Sequence, residues 1–257
     1  MTNGRAYDLV IFDWAGTMVD FGCCAPIAAY VEAFARRGVS LAEAAARADM
    51  GIAKVDHVRA LLARPEVAAA WLAAQGCASD ETDVSALMAD LEPLMRDAAA
   101  MASELIPGVA QAVAELRARG LKIASSTGYT RQMMGPVLLR AADQGYAPDH
   151  VVCAGETPQG RPSPLVIDKA CAERGVWPLS RVVKVDDSES GIAEGRAAGC
   201  YTVGVAASGN AVGLSLAAFN ALETEEREGR LETARAALLA AGADRVIDTV
   251  ADLPSVL

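Results

Sequence analysis

The sequence predicts an α/β fold in which a doubly wound parallel sheet carries an inserted all-helical cap domain. From residue 107 onwards, short apolar runs typical of buried parallel strands alternate with helical patterns, and glycines close several of those helices. Residues 26–101, which follow the first strand, have helical periodicity throughout and no strand-like run. This segment is therefore interpreted as an insertion into an α/β chain.

The first strand is predicted over Asp8–Asp13, an apolar run that ends in an acid and leads into a glycine-containing loop. Four later strands are predicted from the runs LKIASST, HVVCAG, RVVKVDD and YTVGVA. Helices are predicted from the segments VAQAVAELRARG, TRQMMGPVLLRAADQG, SPLVIDKACAERG and GIAEGRAAG, and one or two surface helices over 217–242. The core domain is therefore assigned to 1–21 and 103–257, and the cap domain to 22–102.

Composition narrows the classes of function. The 257 residues are 53% hydrophobic and 22% charged, which is typical of a globular protein. The net charge is −10 and no basic cluster occurs, so neither nucleic acid nor an anionic membrane is an expected partner. Acids interrupt the first apolar run and no later run has ~18 apolar residues, so we expect a cytoplasmic protein without a secretory signal. Six cysteines without a CxxC pair favour reduced thiols over disulfides or zinc.

Polar residues follow the predicted strands at the points where each strand ends. In an open parallel sheet, ligands bind beyond the carboxyl ends of the strands. Carboxylates suit a divalent cation, whereas a hydroxyl group, backbone amides and a guanidinium suit an anion. These groups together predict a phosphoryl-transfer site, and the residues that supply them are Asp13, Thr127, Gly128, Arg161, Asp186 and Asp187.

Five motifs carry a resemblance to a known family: FDWAGTMVDFGCCAP, MGIAKVDHVRAL, SSTGYTRQMM, GRPSP and KVDDSESGI. They are similar to motifs of the haloacid dehalogenase superfamily and, within it, of the phosphonatases, which split a carbon–phosphorus bond. The resemblance spans nearly the whole chain. It implies Mg²⁺-dependent hydrolysis of the small phosphonate phosphonoacetaldehyde to acetaldehyde and phosphate, in the degradation of 2-aminoethylphosphonate. It also implies a homodimer.

The resemblance implies that Asp13 is the nucleophile and that Lys54 forms a Schiff base with the substrate aldehyde. Superfamily phosphatases place a second Asp two residues after the nucleophile to protonate the leaving alkoxide, but this chain has Ala15 there. Cleavage of a carbon–phosphorus bond expels carbon, so it needs an electron sink, which a lysine imine supplies. Cleavage of a carbon–phosphorus bond therefore explains both the absence of an acid at position 15 and the presence of Lys54. His57 lies three residues beyond Lys54 on a predicted helix, and from this shared face we expect it to relay protons during imine formation. The resemblance implies a site role for His57 but does not fix which proton it moves.

The resemblance also implies the Mg²⁺ ligands. Asp13, the Ala15 carbonyl and Asp187 are the expected oxygen ligands. Some relatives carry a later Asp in the last motif, where this chain has Gly191, so Asp186 is expected to compensate, either directly or through water.

Substrate contacts follow from the same motifs. Thr127 and the Gly128 amide are expected to contact the phosphoryl oxygens, and Arg161 to neutralise the phosphonate and orient the nucleophile. Three further residues are expected to line the pocket: Cys23, Met50 and Tyr129.

Other interpretations of the sequence stay open. The protein could be a superfamily phosphatase or mutase that acts on phosphate esters, although Ala15 and Lys54 argue against this, or a non-catalytic relative that binds an anion. At the level of single residues, His57 could be a structural histidine, Arg161 a surface loop residue and Met50 a core residue.

Overall fold

The computed structural model describes residues 6–257. Within this range the strands are β1 (Leu9–Phe12), β2 (Lys122–Ser126), β3 (His150–Val152), β4 (Val182–Asp186), β5 (Tyr201–Val205) and β6 (Arg245–Ile247). They form one parallel sheet in the order β3-β2-β1-β4-β5-β6. The predicted doubly wound parallel sheet is therefore confirmed. Residues 1–5, which the sequence analysis assigns to the core domain, lie outside the described range.

The helices of the described range fall into two groups. The first group lies between β1 and β2 and comprises α1 (Cys24–Ala35), α2 (Glu43–Ala48), α3 (Lys54–Ala63), α4 (Pro65–Gln75) and α5 (Glu81–Met101), followed by α6 (Val109–Ala118). The second group comprises α7 (Arg131–Asp143), α8 (Leu165–Arg174), α9 (Glu189–Ala198), α10 (Leu216–Asn220) and α11 (Thr224–Ala240). Over residues 6–257, none of these helices combines the length and the apolar character that crossing a bilayer requires.

β1 lies at the centre of the sheet because its residues, LVIF, are wholly apolar and can be buried on both faces. It pairs with β2 on one side and with β4 on the other. Successive strands then run outwards from β1 in both directions, so the strand order reverses between β1 and β4. A crevice forms beyond the carboxyl ends of the strands at such a reversal, which is where ligands bind in this class of sheet.

The helical segment packs against the rest of the fold through α5, its longest helix, which contacts α7. Asp80 caps the start of α5 by accepting hydrogen bonds from the backbone amides of Thr82 and Asp83. The buried side chains of α5 recur at helical spacing and belong to one hydrophobic cluster with Phe12 of β1; they are Val84, Leu87, Leu91, Met95 and Ala99. The helical segment therefore shares a continuous apolar core with the sheet.

One strand was not predicted. β6 has three residues, and its first residue, Arg245, is exposed while only Ile247 is buried. It pairs only with β5 among the described strands and forms an edge of the sheet. A short edge strand has no continuous apolar run, so the pattern that indicates buried strands is absent.

Candidate active site

Three buried carboxylates meet at the crevice between β1 and β4. Asp13 follows β1, Asp186 ends β4, and Asp187 comes next along the chain. Phe12 is in register with Val185, so the carboxyl ends of these neighbouring strands bring the acids together. One carboxylate oxygen from each residue lies within 4.8 Å of the others. Hard divalent cations prefer oxygen ligands arranged in this way.

The electrostatics of the cluster favour the binding of a cation. Burial and the neighbouring Asp186 raise the pKa of Asp13 to about 6, against the opposing influence of Arg161. Burial, Asp13 and Asp186 raise the pKa of Asp187 well above its usual value. Burial also raises the pKa of Asp186, but Lys184 and Arg161 outweigh it and hold that pKa below its usual value. A nearby cation would therefore stabilise the ionised forms of Asp13 and Asp187.

Two buried cations and a fourth buried carboxylate complete this network. Arg161 Nη2 lies 2.8 Å from Asp13 Oδ1, and its Nε lies 3.1 Å from Glu194 Oε2. Lys184 Nζ lies 2.9 Å from Asp186 Oδ2 and 3.3 Å from Glu194 Oε2. When all six groups including Asp187 are ionised, four carboxylates and two cations leave a formal charge of −2. A divalent cation neutralises that charge, so the donor set fits Mg²⁺.

Asp187 is held from both sides of its carboxylate. Thr17 Oγ1 donates a hydrogen bond to Oδ1 at 3.1 Å, and the backbone amide of Asn210 donates one to Oδ2 at 2.8 Å. Gly16 adopts a φ of +81°, and a Cβ atom there would lie 2.3 Å from Asp187 Oδ2. The loop after β1 therefore needs a glycine at this position so that it can approach Asp187.

Asp186 fills the space next to Gly191. Ser188 donates two hydrogen bonds to Asp186 Oδ1, from its backbone amide at 3.0 Å and from its hydroxyl group at 2.6 Å. A Cβ atom at position 191 would lie 2.0 Å from Asp186 Cγ and Oδ2. The carboxylate of Asp186 therefore occupies the volume that a side chain at 191 would need.

Lys54 begins α3 and is buried in the same crevice, with only 4% of its surface exposed. Its Nζ lies 3.8 Å from Met50 Sδ and 4.9 Å from the centroid of the Tyr129 ring. Among residues 6–257, no carboxylate forms an ion pair with this amine within 4.0 Å. Burial lowers the pKa of Lys54 to about 8, with a smaller contribution from Arg161, although Cys23 and Asp13 act in the opposite direction. At pH 7, roughly a tenth of the Lys54 amine is therefore uncharged.

His57 lies behind Lys54. It is fully buried, and its ring centroid is 4.3 Å from that of Tyr30. Burial, and then the charge of Lys54, lower the pKa of His57 to about 3, so the imidazole is neutral at pH 7.

One cavity brings most of the predicted site residues together. Its lining includes Asp13, Ala15, Cys23, Met50, Lys54, Thr127, Gly128, Tyr129, Arg161 and Asp187. Pro26, Gly51 and Ser188 also line it and were not predicted, although each lies within or next to one of the five motifs. Asp186 and His57 are outside this lining: Asp186 pairs with Arg161, which lines the cavity, and His57 packs against Tyr30, whose ring centroid is 5.8 Å from Lys54 Nζ.

The helical segment and the sheet approach closely at this cavity. Gly128 follows β2, and a Cβ atom there would lie 2.9 Å from the backbone oxygen of Ile52, just before α3. The neighbouring Thr127 hydroxyl accepts a hydrogen bond from the backbone amide of Tyr129 at 3.1 Å. Glycine at 128 therefore allows the two parts of the chain to enclose the site.

Comparison with known proteins places the chain in a family. Residues 7–199 match the haloacid dehalogenase-like hydrolase family. The chain is 47% identical to the phosphonoacetaldehyde hydrolase of Paraburkholderia phytofirmans over 248 residues, which cover 96% of this chain and 93% of that protein. It is 43% identical to the phosphonoacetaldehyde hydrolase of Syntrophobacter fumaroxidans, covering 96% and 90% of the two chains. The chain belongs to the phosphonoacetaldehyde hydrolase family.

Membership of this family confirms the resemblance noted in the motifs and makes the protein an enzyme, a hydrolase. The crystal structure of a phosphonoacetaldehyde hydrolase-like protein from Oleispira antarctica has the same fold, with a TM-score of 0.96 and 41% sequence identity. The matched region covers 98% of this chain and 91% of that chain. The fold is therefore shared across the sheet and the helical segment alike.

Proposed function

We propose that this enzyme hydrolyses the carbon–phosphorus bond of phosphonoacetaldehyde, through an imine on Lys54 and a phosphoryl group on Asp13. One observation carries the proposal: the amine of Lys54 is buried without a carboxylate partner in the cavity that also holds Asp13. Position 15 in the same cavity carries a methyl group, so the residue that phosphatases use to protonate an ester leaving group is lacking. This combination favours aldehyde activation over ester hydrolysis.

The buried acids fit a magnesium ion. Asp13, Asp187 and the Ala15 carbonyl would hold it, with Asp186 joining directly or through water. When bound, Mg²⁺ offsets the repulsion between these carboxylates and the substrate phosphonate.

Imine formation uses the uncharged form of Lys54. The Nζ lone pair attacks the aldehyde carbon, and loss of water then leaves a protonated imine. His57 is neutral at pH 7 and lies on the same helix, so we propose that it relays protons between the amine and the departing oxygen. Cys23, Met50 and Tyr129 enclose this part of the cavity.

Phosphoryl transfer follows at Asp13. A carboxylate oxygen of Asp13 bonds to phosphorus as the carbon–phosphorus bond breaks, and the released electron pair moves into the imine nitrogen to give an enamine. Arg161 holds Asp13 at 2.8 Å and, with Thr127 and the Gly128 amide, would bind the phosphoryl oxygens. Protonation of the enamine carbon and addition of water release acetaldehyde. Water also cleaves the phosphoryl-aspartate to release phosphate.

In this proposal, residues 22–102 act as the cap domain that brings Lys54 to the core, and residues 1–21 and 103–257 form that core. The reaction would serve the degradation of 2-aminoethylphosphonate. A cytoplasmic homodimer stays a prediction from the sequence, and size-exclusion chromatography with light scattering would test the dimer.

Product analysis tests the proposal. Phosphonoacetaldehyde should yield phosphate and acetaldehyde in equal amounts, and removal of Mg²⁺ should stop both. An aryl phosphate should be a much poorer substrate. A preference for the aryl phosphate would indicate a phosphatase, and the absence of turnover on either compound would indicate a non-catalytic relative.

Borohydride trapping tests the role of Lys54. Borohydride should inactivate the enzyme only in the presence of substrate or acetaldehyde, and peptide mapping should find the added ethyl group on Lys54. Lys169, which pairs with Glu173 on the surface of α8, offers a matched control: Lys169→Ala should be trapped normally, whereas Lys54→Ala should not. A label on any other lysine would contradict the assignment.

A further inference from the structure

Arg47 of α2 joins the helical segment to two loops that border the candidate active site. Its Nη1 atom donates hydrogen bonds to the backbone oxygen of Gly22 at 2.9 Å and to Asn210 Oδ1 at 3.1 Å. Its Nη2 atom donates to the backbone oxygen of Gly213 at 3.2 Å. Gly22 follows β1 in the chain, and Asn210 and Gly213 follow β5. A single guanidinium therefore bridges three parts of the fold.

Asn210 continues this connection to the carboxylate cluster. Its side-chain amide donates a hydrogen bond back to the backbone oxygen of Arg47 at 3.0 Å, so the two residues are joined by a reciprocal pair of bonds. The backbone amide of Asn210 donates to Asp187 Oδ2 at 2.8 Å. An unbroken path of hydrogen bonds thus runs from α2 to Asp187.

The partners of Arg47 distinguish it from other arginines of the helical segment. Arg37 donates from Nε to Asp90 Oδ2 at 3.0 Å, and Arg64 pairs with Asp49 at 2.7 Å, so both are neutralised within the segment itself. Among the residues that the structure describes, Arg47 has no carboxylate within 4.0 Å and bonds to carbonyl oxygens across the boundary. A planar guanidinium can satisfy several such acceptors only when they are held at fixed positions, so its bonds depend on how the segment sits on the core.

We propose that Arg47 and Asn210 form a latch that couples the seating of the helical segment to the position of Asp187. When the segment is seated, the reciprocal pair holds the loop after β5 so that the Asn210 amide faces Asp187 Oδ2. The same seating buries Lys54, which begins the next helix of the segment after α2. Arg47 and Asn210 are therefore positioning residues. The inference rests on the proposed function only where it treats Asp187 as a Mg²⁺ ligand.

Two measurements that do not depend on turnover test the latch in the full-length protein. The first is the rate at which an amine-reactive reagent labels Lys54, followed by peptide mapping. Arg47→Met and Asn210→Ala should each label at least roughly threefold faster than the parent, because a loosened segment exposes Lys54. The second is the affinity for Mg²⁺ without substrate, measured by titration calorimetry. Each variant should bind Mg²⁺ about tenfold more weakly, since the loop after β5 is no longer held so that the Asn210 backbone amide faces Asp187.

The double variant and a matched control separate the latch from general loss of stability. Because both substitutions break the same connection, the double variant should be little worse than either single variant. Arg37→Met removes an arginine of the same segment and should change neither measurement. Arg47→Lys keeps the positive charge but loses the planar guanidinium. It should also label faster and bind Mg²⁺ more weakly than the parent, by smaller factors than Arg47→Met.

Equal labelling and equal Mg²⁺ affinity in the parent, Arg47→Met and Asn210→Ala would overturn the latch, as would the same changes in Arg37→Met. Failure of the proposed function is distinguishable, because it would appear as absence of phosphonate cleavage by the parent. Faster labelling of Lys54 in the latch variants would still support the coupling in that case.

Discussion

The depressed pKa of Lys54 leads to a prediction that can be tested by placing one charge beside it. Met50 Sδ lies 3.8 Å from Lys54 Nζ, so Met50→Glu puts a carboxylate within reach of the amine. Met50→Gln has nearly the same shape without the charge and serves as the control. We expect the carboxylate to return the pKa of Lys54 towards its ordinary value.

The magnitude follows from the geometry. A fall of the Lys54 pKa from 10.5 to about 8 raises the neutral fraction at pH 7 roughly 300-fold, which corresponds to about 3 kcal/mol. A carboxylate at ~4 Å attracts the ammonium by about 4 kcal/mol at the effective dielectric constant of such a site. The cost of burying the new carboxylate offsets part of this attraction, so Met50→Glu should cancel most of the effect of burial and reduce the neutral amine at pH 7 by about 100-fold.

The assay is the initial rate of borohydride trapping with acetaldehyde, measured across about pH 6–11. The midpoint of the profile should lie near pH 8 in the parent, as the pKa of Lys54 requires, and in Met50→Gln. It should lie about two pH units higher in Met50→Glu. A parent midpoint near 10.5, or equal midpoints in the two variants, would refute the claim that burial sets the reactivity of Lys54.

Four further predictions concern single side chains. Asp13→Ala should lower turnover at least roughly 1,000-fold without lowering the melting temperature, since it removes the nucleophile and relieves a buried charge; retention of a tenth of the activity would contradict covalent transfer. Ala15→Asp should lower kcat/KM for the phosphonate, because its carboxylate repels the dianion, and should increase aryl phosphate hydrolysis; a variant faster on the phosphonate would contradict the mechanism. Lys54→Met should raise the melting temperature at pH 7, because the folded protein binds the Lys54 proton less tightly than the unfolded chain; this gain should shrink as pH rises from about 8 to 10.5. Glu194→Gln should reduce the free energy of unfolding by about 3 kcal/mol in urea titrations, because it removes the buried carboxylate that Arg161 and Lys184 share, whereas the exposed Glu173→Gln should change it little.

The central sheet could be predicted because its strands are short and largely apolar, as in Leu9–Phe12 and Tyr201–Val205. The cavity could be predicted because acids and hydroxyl groups come directly after those strands. The buried network was harder to predict. Lys184 lies inside a strand and Glu194 inside a helix that is rich in polar residues, and each resembles an ordinary solvated side chain.

What the sequence could not supply was the partner of each buried charge. Lys184 and Glu194 come together with Arg161, which follows β3 in the chain, only after β4 and α9 have packed on the sheet. Burial of an ion depends on such pairing across distant segments, and local periodicity does not encode it. The same holds for Arg47, whose acceptors lie on loops far from it along the chain.

The crowding of Asp186 against position 191 has a consequence for how this motif can change during evolution. A single substitution that introduces a side chain at 191 would collide with the Asp186 carboxylate, and loss of Asp186 alone would remove a buried charge that two cations require. Either single substitution on the way to a chain with its acid at 191 therefore gives a less stable protein. The two positions should exchange together or not at all, so lineages with either arrangement would stay separated. Searches for family members that require an acid at one fixed spacing would then overlook one of the two lineages.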